Sequence, residues 1–151
     1  MLRLSKKADY ALLAMRHLAA HTDRGATSAR ELAEAYDIPL ELLAKVLQRL
    51  VRGRLLESHQ GIRGGYALAR DAASISVADV IQAVDGPLTV TACSDVDHSC
   101  EQYAKCNIRD PLWRIKDRIV NALSATSVAE LAVELSAPTP VAAVPVSVVR
   151  R

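Results

Sequence analysis

The amino-acid sequence predicts a mainly α-helical fold with one small β-hairpin and a long helix in its C-terminal half. Ala, Leu and Val supply most of the apolar residues, Phe is absent and Trp113 is the only tryptophan, a composition that favours helices. Several segments repeat apolar residues at helical spacing, and between two of them short strand-like stretches flank a glycine-rich turn. A length of 151 residues suits one domain, expected over residues 1–135.

Three helices are predicted in the first third of the chain. The first runs from about Ser5 to His21, with its apolar residues on one face. A short second helix begins at Ser28, because Ser28 and Glu31 form a capping-box pattern. It stops before Pro39, which suits the first turn of a third helix that ends at Gly53. The third helix carries an apolar stripe (Leu43, Val46, Leu47, Leu50) and an outward polar face (Glu41, Lys45, Gln48, Arg49, Arg52).

The stretches 55–59 and 66–69 predict a hairpin whose turn is rich in glycine. Two helices joined by a tight turn and followed by such a hairpin are typical of a winged helix-turn-helix. Glycine leaves room at the tip of the wing, and Arg63 is placed to enter a narrow minor groove of DNA. The simpler alternative is part of a helical bundle with a solvated face. The expected contacts to double-stranded DNA are Ser28, Pro39, Glu41, Lys45, Gln48, Arg49, Gln60, Arg63 and Gly64.

Charge and motif content narrow the class of protein. Residues 1–70, the expected DNA-binding part, carry 12 Lys and Arg against 7 Asp and Glu, whereas residues 71–151 carry 7 against 10. A basic first half suits phosphate binding. No apolar run approaches the roughly 20 residues that cross a bilayer, so we expect no membrane partner and a cytoplasmic location. No nucleophile–base constellation or phosphate-binding Gly-Lys motif is present, so we expect no enzyme.

The second half predicts a helix from Ser76 to Val84, a loop over residues 88–108 and a long helix over 110–125. Asp110 is the expected N-cap of the long helix, and Pro111 is expected in its first turn. A short helix from Ser127 and a disordered tail over 136–151 complete the chain. The apolar stripe of the long helix could pack on its own domain. We instead expect a homodimer on an operator with two-fold pseudo-symmetry, with Leu112, Ile115, Ile119 and Leu123 as the interface.

All three cysteines, Cys93, Cys100 and Cys106, lie in the predicted loop with the spacing C-x6-C-x5-C. Their odd number argues against a secreted disulfide framework. Thiolates bind soft or borderline metals and iron–sulfur clusters. Zinc is a second choice, because the loop has no C-x2-C knuckle and no fourth cysteine. Three unrelated thiols are the simplest alternative, which the polar surroundings of the loop disfavour.

Four segments carry a resemblance to a known family: residues 1–11, 61–68, 75–86, and the cysteine loop followed by Leu112-Trp113. Together they resemble the IscR/NsrR family of bacterial winged helix-turn-helix regulators, over about residues 1–135. The resemblance implies a homodimeric regulator that senses an iron–sulfur cluster. It is closest to the branch that controls cluster-assembly operons of the suf type, and it implies a repressor of those genes.

The resemblance also implies a ligand set. Cys93, Cys100 and Cys106 match the family's three cysteine ligands, and Arg109 stands where one branch has a ligating histidine. Asp9 matches an aspartate that another branch donates from the partner subunit, and His98 is a third candidate. A [2Fe-2S] cluster is favoured over [4Fe-4S]. Ala44 stands where IscR has a glutamate that contacts a base, so the operator sequence of that regulator cannot be assigned to this chain. The alternatives are a nitric-oxide or redox sensor of this fold, and a protein-binding module that does not bind DNA.

Overall fold

A computed structural model describes residues 3–90 and 100–133, and in these ranges six α-helices and one hairpin follow each other in the predicted order. The mainly helical fold class with a small wing is thereby confirmed. The predicted tail, and the segment 91–99 within the cysteine loop, lie outside the described residues. The elements are α1 (Lys6–Ala20), α2 (Ala29–Ala35), α3 (Leu40–Arg52), β1 (Leu56–His59), β2 (Gly65–Leu68), α4 (Val77–Asp85), α5 (Arg109–Ala125) and α6 (Val128–Ala132).

The core forms where α1 packs against α3, α4 and α6. Each of these four helices contributes one or more buried apolar residues, as the spacing of these residues predicts. None of the helices in the described residues is long and apolar enough to cross a bilayer. Fully buried core side chains include Met15, Leu32, Leu43, Leu47, Leu50, Leu56, Ile75, Val80, Val84 and Val128.

Serines fix the starts of four helices. Ser5, Ser28, Ser76 and Ser127 each accept a hydrogen bond from a backbone N–H of the first turn. At the last three, the backbone N–H of the serine also donates to the carboxylate of an acid at the third helical position, which completes a capping box. The predicted helix starts at these serines are therefore confirmed.

The start of α5 differs from the prediction. The helix begins at Arg109, and Ile108 rather than Asp110 is its N-cap. Pro111 is the third helical residue, a position where a missing N–H costs nothing because the first four N–H groups lack partners within the helix. The first hydrogen bond runs from the Leu112 N–H to the Ile108 carbonyl, at 3.0 Å. Proline therefore permitted an earlier start than the sequence suggested.

Two backbone hydrogen bonds join the starts of α4 and α6. The Val77 N–H donates to the Thr126 carbonyl at 2.9 Å, and the Val128 N–H donates to the Ile75 carbonyl at 2.8 Å. The end of α5 is thus anchored at the start of α4, against which α5 packs. With 17 residues against 9, α5 is about 12 Å longer than α4. Its first half therefore extends beyond the helix that supports it.

Candidate nucleic-acid interface and cysteine segment

A tight turn connects α2 to α3. Asp37 adopts a left-handed conformation with φ of 51°, and the Ile38 N–H donates to the Ala33 carbonyl at 3.0 Å. The buried Ile38 side chain fixes this turn on the core. Pro39 is the N-cap of α3 rather than a residue of its first turn, because its extended ψ of 123° precedes the first helical residue. The two helices form the predicted helix-turn-helix.

Helix α3 is amphipathic, as predicted. Leu43, Val46, Leu47 and Leu50 are buried, while the opposite face is solvent-exposed and mainly basic. On this face Arg49 has an intramolecular partner, because its guanidinium donates to the Val84 carbonyl at the end of α4. Its assignment as a DNA contact stays a prediction. The exposed residues of α3 are Glu41, Lys45, Gln48, Arg49 and Arg52, with Leu40 at its start.

The wing is attached directly to the loop before α2. Thr27 and Tyr66 exchange two backbone hydrogen bonds, of 3.0 and 2.8 Å. A Cβ atom added to Gly65 would lie 2.4 Å from the Thr27 carbonyl oxygen, so only glycine permits this approach. The hairpin therefore has a fixed orientation relative to α2 and α3.

The tip of the wing is a closed β-turn. The Gly64 N–H donates to the Gly61 carbonyl at 2.9 Å, which places Ile62 and Arg63 at the two central positions. A Cβ on Gly64 would come within 2.5 Å of the His59 carbonyl oxygen. The turn thus presents two side chains outward on a backbone with little room to rearrange.

A polar cleft separates the wing tip from the start of α2, and Arg24, Ser28, Glu31, Ile62, Arg63 and Gly64 line it. Sequence reasoning placed Ser28, Arg63 and Gly64 at DNA but missed Arg24 and Ile62. Arg24 lies in a short 3₁₀ turn after α1, and its position beside Gly25 was the only sequence signal.

The N–H and the hydroxyl of Ser28 already have partners within α2. Its N–H donates to the Glu31 carboxylate at 2.8 Å, and its hydroxyl accepts from the Glu31 N–H at 3.2 Å. The bond from the Ser28 N–H, followed by the interaction of the Ser28 side chain with the carboxylate, stabilises its ionised form and lowers the pKa of Glu31. Ser28 therefore lies at the cleft wall as a helix cap.

The remaining predicted contacts are all exposed to solvent. Gln48 lines a second cleft, between α3 and the wing, together with Arg52, Ser58 and Tyr66. Lys45 is exposed on α3, Gln60 on the wing, Glu41 in the first turn of α3, and Pro39 at its N-cap. One cleft thus lies between α3 and the wing, and another lies between the wing and the start of α2.

The described part of the cysteine loop contains Cys100 and Cys106. Both thiols are free and half-buried, on either side of a short 3₁₀ turn at Tyr103–Lys105. Cys93 and His98 lie outside the described residues. Within the ranges the structure describes, no group of three His, Cys, Asp or Glu side chains is placed to hold a metal ion.

Arg109 has a defined position next to this segment. Its guanidinium lies over the Tyr103 ring, 4.6 Å from the ring centroid, and 6.0 Å from that of Trp113. Its Nε donates to the Asp110 carboxylate at 3.0 Å, and this bond is the main reason why the pKa of Arg109 is raised. Nearby Cys106 adds a smaller contribution to the same shift. Arg109 is therefore a cation beside Cys106 and has no lone pair for a metal.

Asp9 lies on the exposed side of α1, at the edge of an apolar groove. The other residues of the groove are Leu12, Leu13, Arg16 and, from α6, Leu131. The Arg16 Nε donates to the Leu131 carbonyl at 2.9 Å and so fixes one wall of the groove. The Asp9 carboxylate thus lies next to an apolar surface that the described residues of one chain do not cover.

The apolar stripe of α5 is only partly covered. Within the described residues, no side chain of this helix is buried. Ile115 is 46% exposed and Trp113 is 36% exposed, whereas Leu112, Ile119 and Leu123 are half-buried. Trp113 and Ile115 therefore lie on an accessible face, whereas Leu123 packs against the core of its own chain. The role of the four predicted residues in a dimer stays a prediction.

A helix-turn-helix with an exposed basic α3, joined to a fixed wing, defines a DNA-binding regulator of the winged-helix class. The Rrf2 family profile, described as an iron-dependent transcriptional regulator, matches residues 4–134. The chain belongs to the Rrf2 family. The predicted resemblance to IscR-like regulators is thereby confirmed.

Sequence relatives agree with this assignment. The regulator IscR of Photorhabdus laumondii is 37% identical over 131 residues, which cover 86% of this chain and 79% of the relative. An HTH-type transcriptional regulator of Mycobacterium tuberculosis is 35% identical and is matched over 87% of this chain and 81% of its own length. Their names describe transcriptional regulation, a non-enzymatic role, which confirms the prediction that the chain is no enzyme.

Solved structures show the same fold. CymR of B. subtilis, named as the global cysteine regulator, superposes with a TM-score of 0.73 at 28% identity and covers 87% of this chain and 97% of its own. T. potens IscR has a TM-score of 0.68 at 27% identity, with coverage of 86% and 85%. The structural relatives thus include proteins with two different regulatory names.

Proposed function

We propose that this chain is an iron–sulfur-sensing repressor of cluster-assembly genes, whose affinity for DNA depends on cluster occupancy. The free, half-buried Cys100 and Cys106 beside the first turn of α5 carry the proposal. The similarity to named IscR proteins supports it. A bound cluster would supply the positive charge that stabilises thiolates in a polar segment.

The proposed ligands are Cys93, Cys100 and Cys106, with Asp9 of the partner subunit as the fourth. The chemistry of the donors fits, because thiolates are the preferred ligands of such clusters. Arg109 is held by Asp110 and the Tyr103 ring, which leaves the fourth position to another side chain. The exposed position of Asp9 beside an open groove supports its assignment. A carboxylate is a harder ligand than a thiolate, which makes that corner of a cluster more labile.

On DNA, the proposed dimer places one α3 and one wing on each half-site of an operator with two-fold pseudo-symmetry. Lys45, Gln48 and Arg49 contact the major groove or its flanking phosphates, and Arg63 serves the minor groove. Helix α1, which carries Asp9, packs on α3. A ligand donated from α1 therefore couples the cysteine segment of one chain to the DNA-reading helix of the other. Leu112, Ile115, Ile119 and Leu123 form the proposed interface.

Anaerobic reconstitution tests the ligand set through iron and sulfide content and the visible spectrum. Wild type and His98→Ala should hold a stable chromophore, Cys100→Ala should hold none, and Asp9→Ala should lose it faster in air. Asp23→Ala, which removes another exposed aspartate, is the matched control and should behave as wild type. The spectrum also distinguishes [2Fe-2S], the favoured type, from [4Fe-4S]. Wild-type protein that binds zinc and takes up no iron would contradict the proposal and leave DNA binding untouched.

A thiol-based redox regulator is the second candidate. The structural similarity to CymR, including the oxidized form from Staphylococcus aureus at 25% identity and a TM-score of 0.72, favours it. In this chain, the feature that supports a redox regulator is the same pair of free thiols, Cys100 and Cys106. Metal-free protein should then change its affinity for DNA on mild oxidation, and Cys106→Ser should abolish that change.

A further inference from the structure

The tip of the wing carries an apolar residue that the fold does not use. Ile62 is 108% exposed, the highest value among the exposed large apolar side chains of the described residues. It occupies the first central position of the β-turn closed by Gly61 and Gly64. Turns favour Gly, Pro, Asn, Asp and Ser at such positions, and a β-branched residue gains nothing there. A residue that violates local preference without a compensating contact is characteristic of a functional site.

The position of Ile62 is fixed relative to the DNA-reading helix. Gly64 and Gly65 allow approaches that any Cβ would block, at 2.5 Å from the His59 carbonyl oxygen and 2.4 Å from that of Thr27. The hydrogen bonds between Thr27 and Tyr66 hold the hairpin against the loop before α2. The turn therefore holds Ile62 and Arg63 in a defined position relative to α2 and α3.

The charges around Ile62 identify its partner. Arg63 follows it in the turn, and Arg24 stands across the cleft; the one acid there, Glu31, is bonded to Ser28. Two cations beside an exposed apolar side chain suit a polyanion with an apolar inner surface. The minor groove of DNA combines strong negative potential with sugar walls and a floor of base edges.

We propose that Ile62 enters the minor groove beside Arg63 and selects against G·C pairs at the position it reaches. The 2-amino group of guanine projects into that groove, whereas A·T pairs present only acceptors there. An isoleucine side chain offers this group no hydrogen bond and occupies its space, so a G·C pair leaves a buried donor unsatisfied. Apolar residues that enter the minor groove are an established mode of recognition. The inference rests on the DNA-binding role of the wing and adds a specificity-determining residue to it.

The test compares guanine with inosine, which lacks only the 2-amino group. Duplexes are first selected from a random pool with the full-length wild-type protein. Each base pair under the wing is then replaced by G·C or by I·C, and affinities are measured by fluorescence anisotropy. Wild type should bind I·C about tenfold more tightly than G·C at one position of each half-site. Ile62→Ala should reduce that ratio to about threefold or less, and Ile62→Val should restore most of it.

Folding does not confound this test, because Ile62 makes no buried contact and Ile62→Ala should unfold at the wild-type temperature. Equal affinity for G·C and I·C at every position, or an unchanged ratio in Ile62→Ala, would overturn the assignment while DNA binding stands. Failure of the wild-type protein to select any duplex would overturn the DNA-binding role and this inference together.

Discussion

Gly65 is the residue at which the wing meets the helix-turn-helix. The contact is between backbone atoms of Gly65 and Thr27, so no side-chain movement can relieve a clash there. The close approach makes the wing part of a rigid reading surface. Its necessity could not be read from the sequence, because it depends on a loop almost forty residues earlier in the chain.

Gly65→Ala should displace the wing and lower the affinity for a selected duplex by about tenfold, with an overpacking cost of about 1–3 kcal/mol in unfolding free energy. Anisotropy and thermal denaturation measure the two effects. Gly86→Ala is the control, since its φ is also positive but its new methyl group meets nothing within 4 Å. It should cost stability and leave DNA affinity unchanged. Equal losses of affinity in both variants would mean that the contact with Thr27 is not required.

His17 makes folding sensitive to pH. Burial, followed by the stacked ring of His21 and the charge of Arg24, lowers the pKa of His17. The folded state therefore disfavours the protonated ring, whose Nδ1 lies 3.1 Å from the Tyr36 hydroxyl. The contribution to stability is complete above the unfolded pKa of about 6.5 and is lost as the pH falls through the lower folded pKa.

Urea unfolding midpoints should consequently decrease as the pH falls from about 7 to about 5, and His17→Gln should flatten that decrease. His59→Gln, on the exposed wing strand, is the control and should retain the wild-type slope. The capping carboxylates Glu31 and Glu130 also have lowered pKa values, so their contributions disappear only in more acidic solution. A slope identical in wild type and His17→Gln would contradict the role of His17.

Helix α5 lacks a complete packing surface within the described residues of one chain. It is the longest helix in the described part of the chain, and the described residues bury none of its side chains. An amphipathic helix gains most of its stability from packing its apolar face. Its first half, which extends beyond α4, therefore needs a second surface, and a second copy of the chain is the proposed source.

Ile115→Glu should convert the dimer to monomers, because each copy would place a carboxylate against apolar surface at a cost of about 3 kcal/mol, incurred twice per dimer. Sedimentation velocity measures the change. Ile115 is a better site than the half-buried Ile119, since it is 46% exposed and its substitution spares the core of the single chain. Asn121→Glu introduces the same charge at an exposed polar position of α5 and should remain dimeric. A dimeric Ile115→Glu would place the interface elsewhere.

Local sequence signals made most helices and strands predictable. Contacts between residues on different elements could not be predicted from the sequence. Serine caps and apolar spacing predicted the helices around Ser28, Ser76 and Ser127, and the glycine-rich turn predicted the wing. The partner of Arg49 on α4 and the stacking of Arg109 on Tyr103 depend on tertiary packing, which periodicity does not encode. For the same reason Arg24 and Ile62 were missed.

At the level of the whole molecule, charge is divided between two halves, with the cations concentrated in the part that contains α3 and the wing. Such a surface attracts phosphates at long range, and each contact releases counterions. A dimer presents this surface twice, so every phosphate contact is counted twice in the salt dependence of binding.

Arg63→Ala should reduce the slope of log affinity against log salt by about two for the dimer, or about one per copy. Titrations at several salt concentrations supply the slope. Arg114→Ala removes an exposed cation from α5 and should leave it unchanged. Ile62→Ala should also retain the full slope, which separates apolar from ionic contributions at the same turn. If Arg63→Ala keeps the wild-type slope, the wing does not reach a phosphate.

The paired starts of α4 and α6 have an evolutionary consequence. Because Ile75 and Val77 are bonded to Val128 and Thr126, the chain leaves the core after α4 and returns beside the point where α4 began. These two bonds hold together the ends of the segment 78–125, which contains α4, the cysteine segment and α5. Lengthening such a segment costs little closure entropy. New ligands or a new signal can therefore be acquired there by mutation or recombination while the DNA-reading half keeps its geometry.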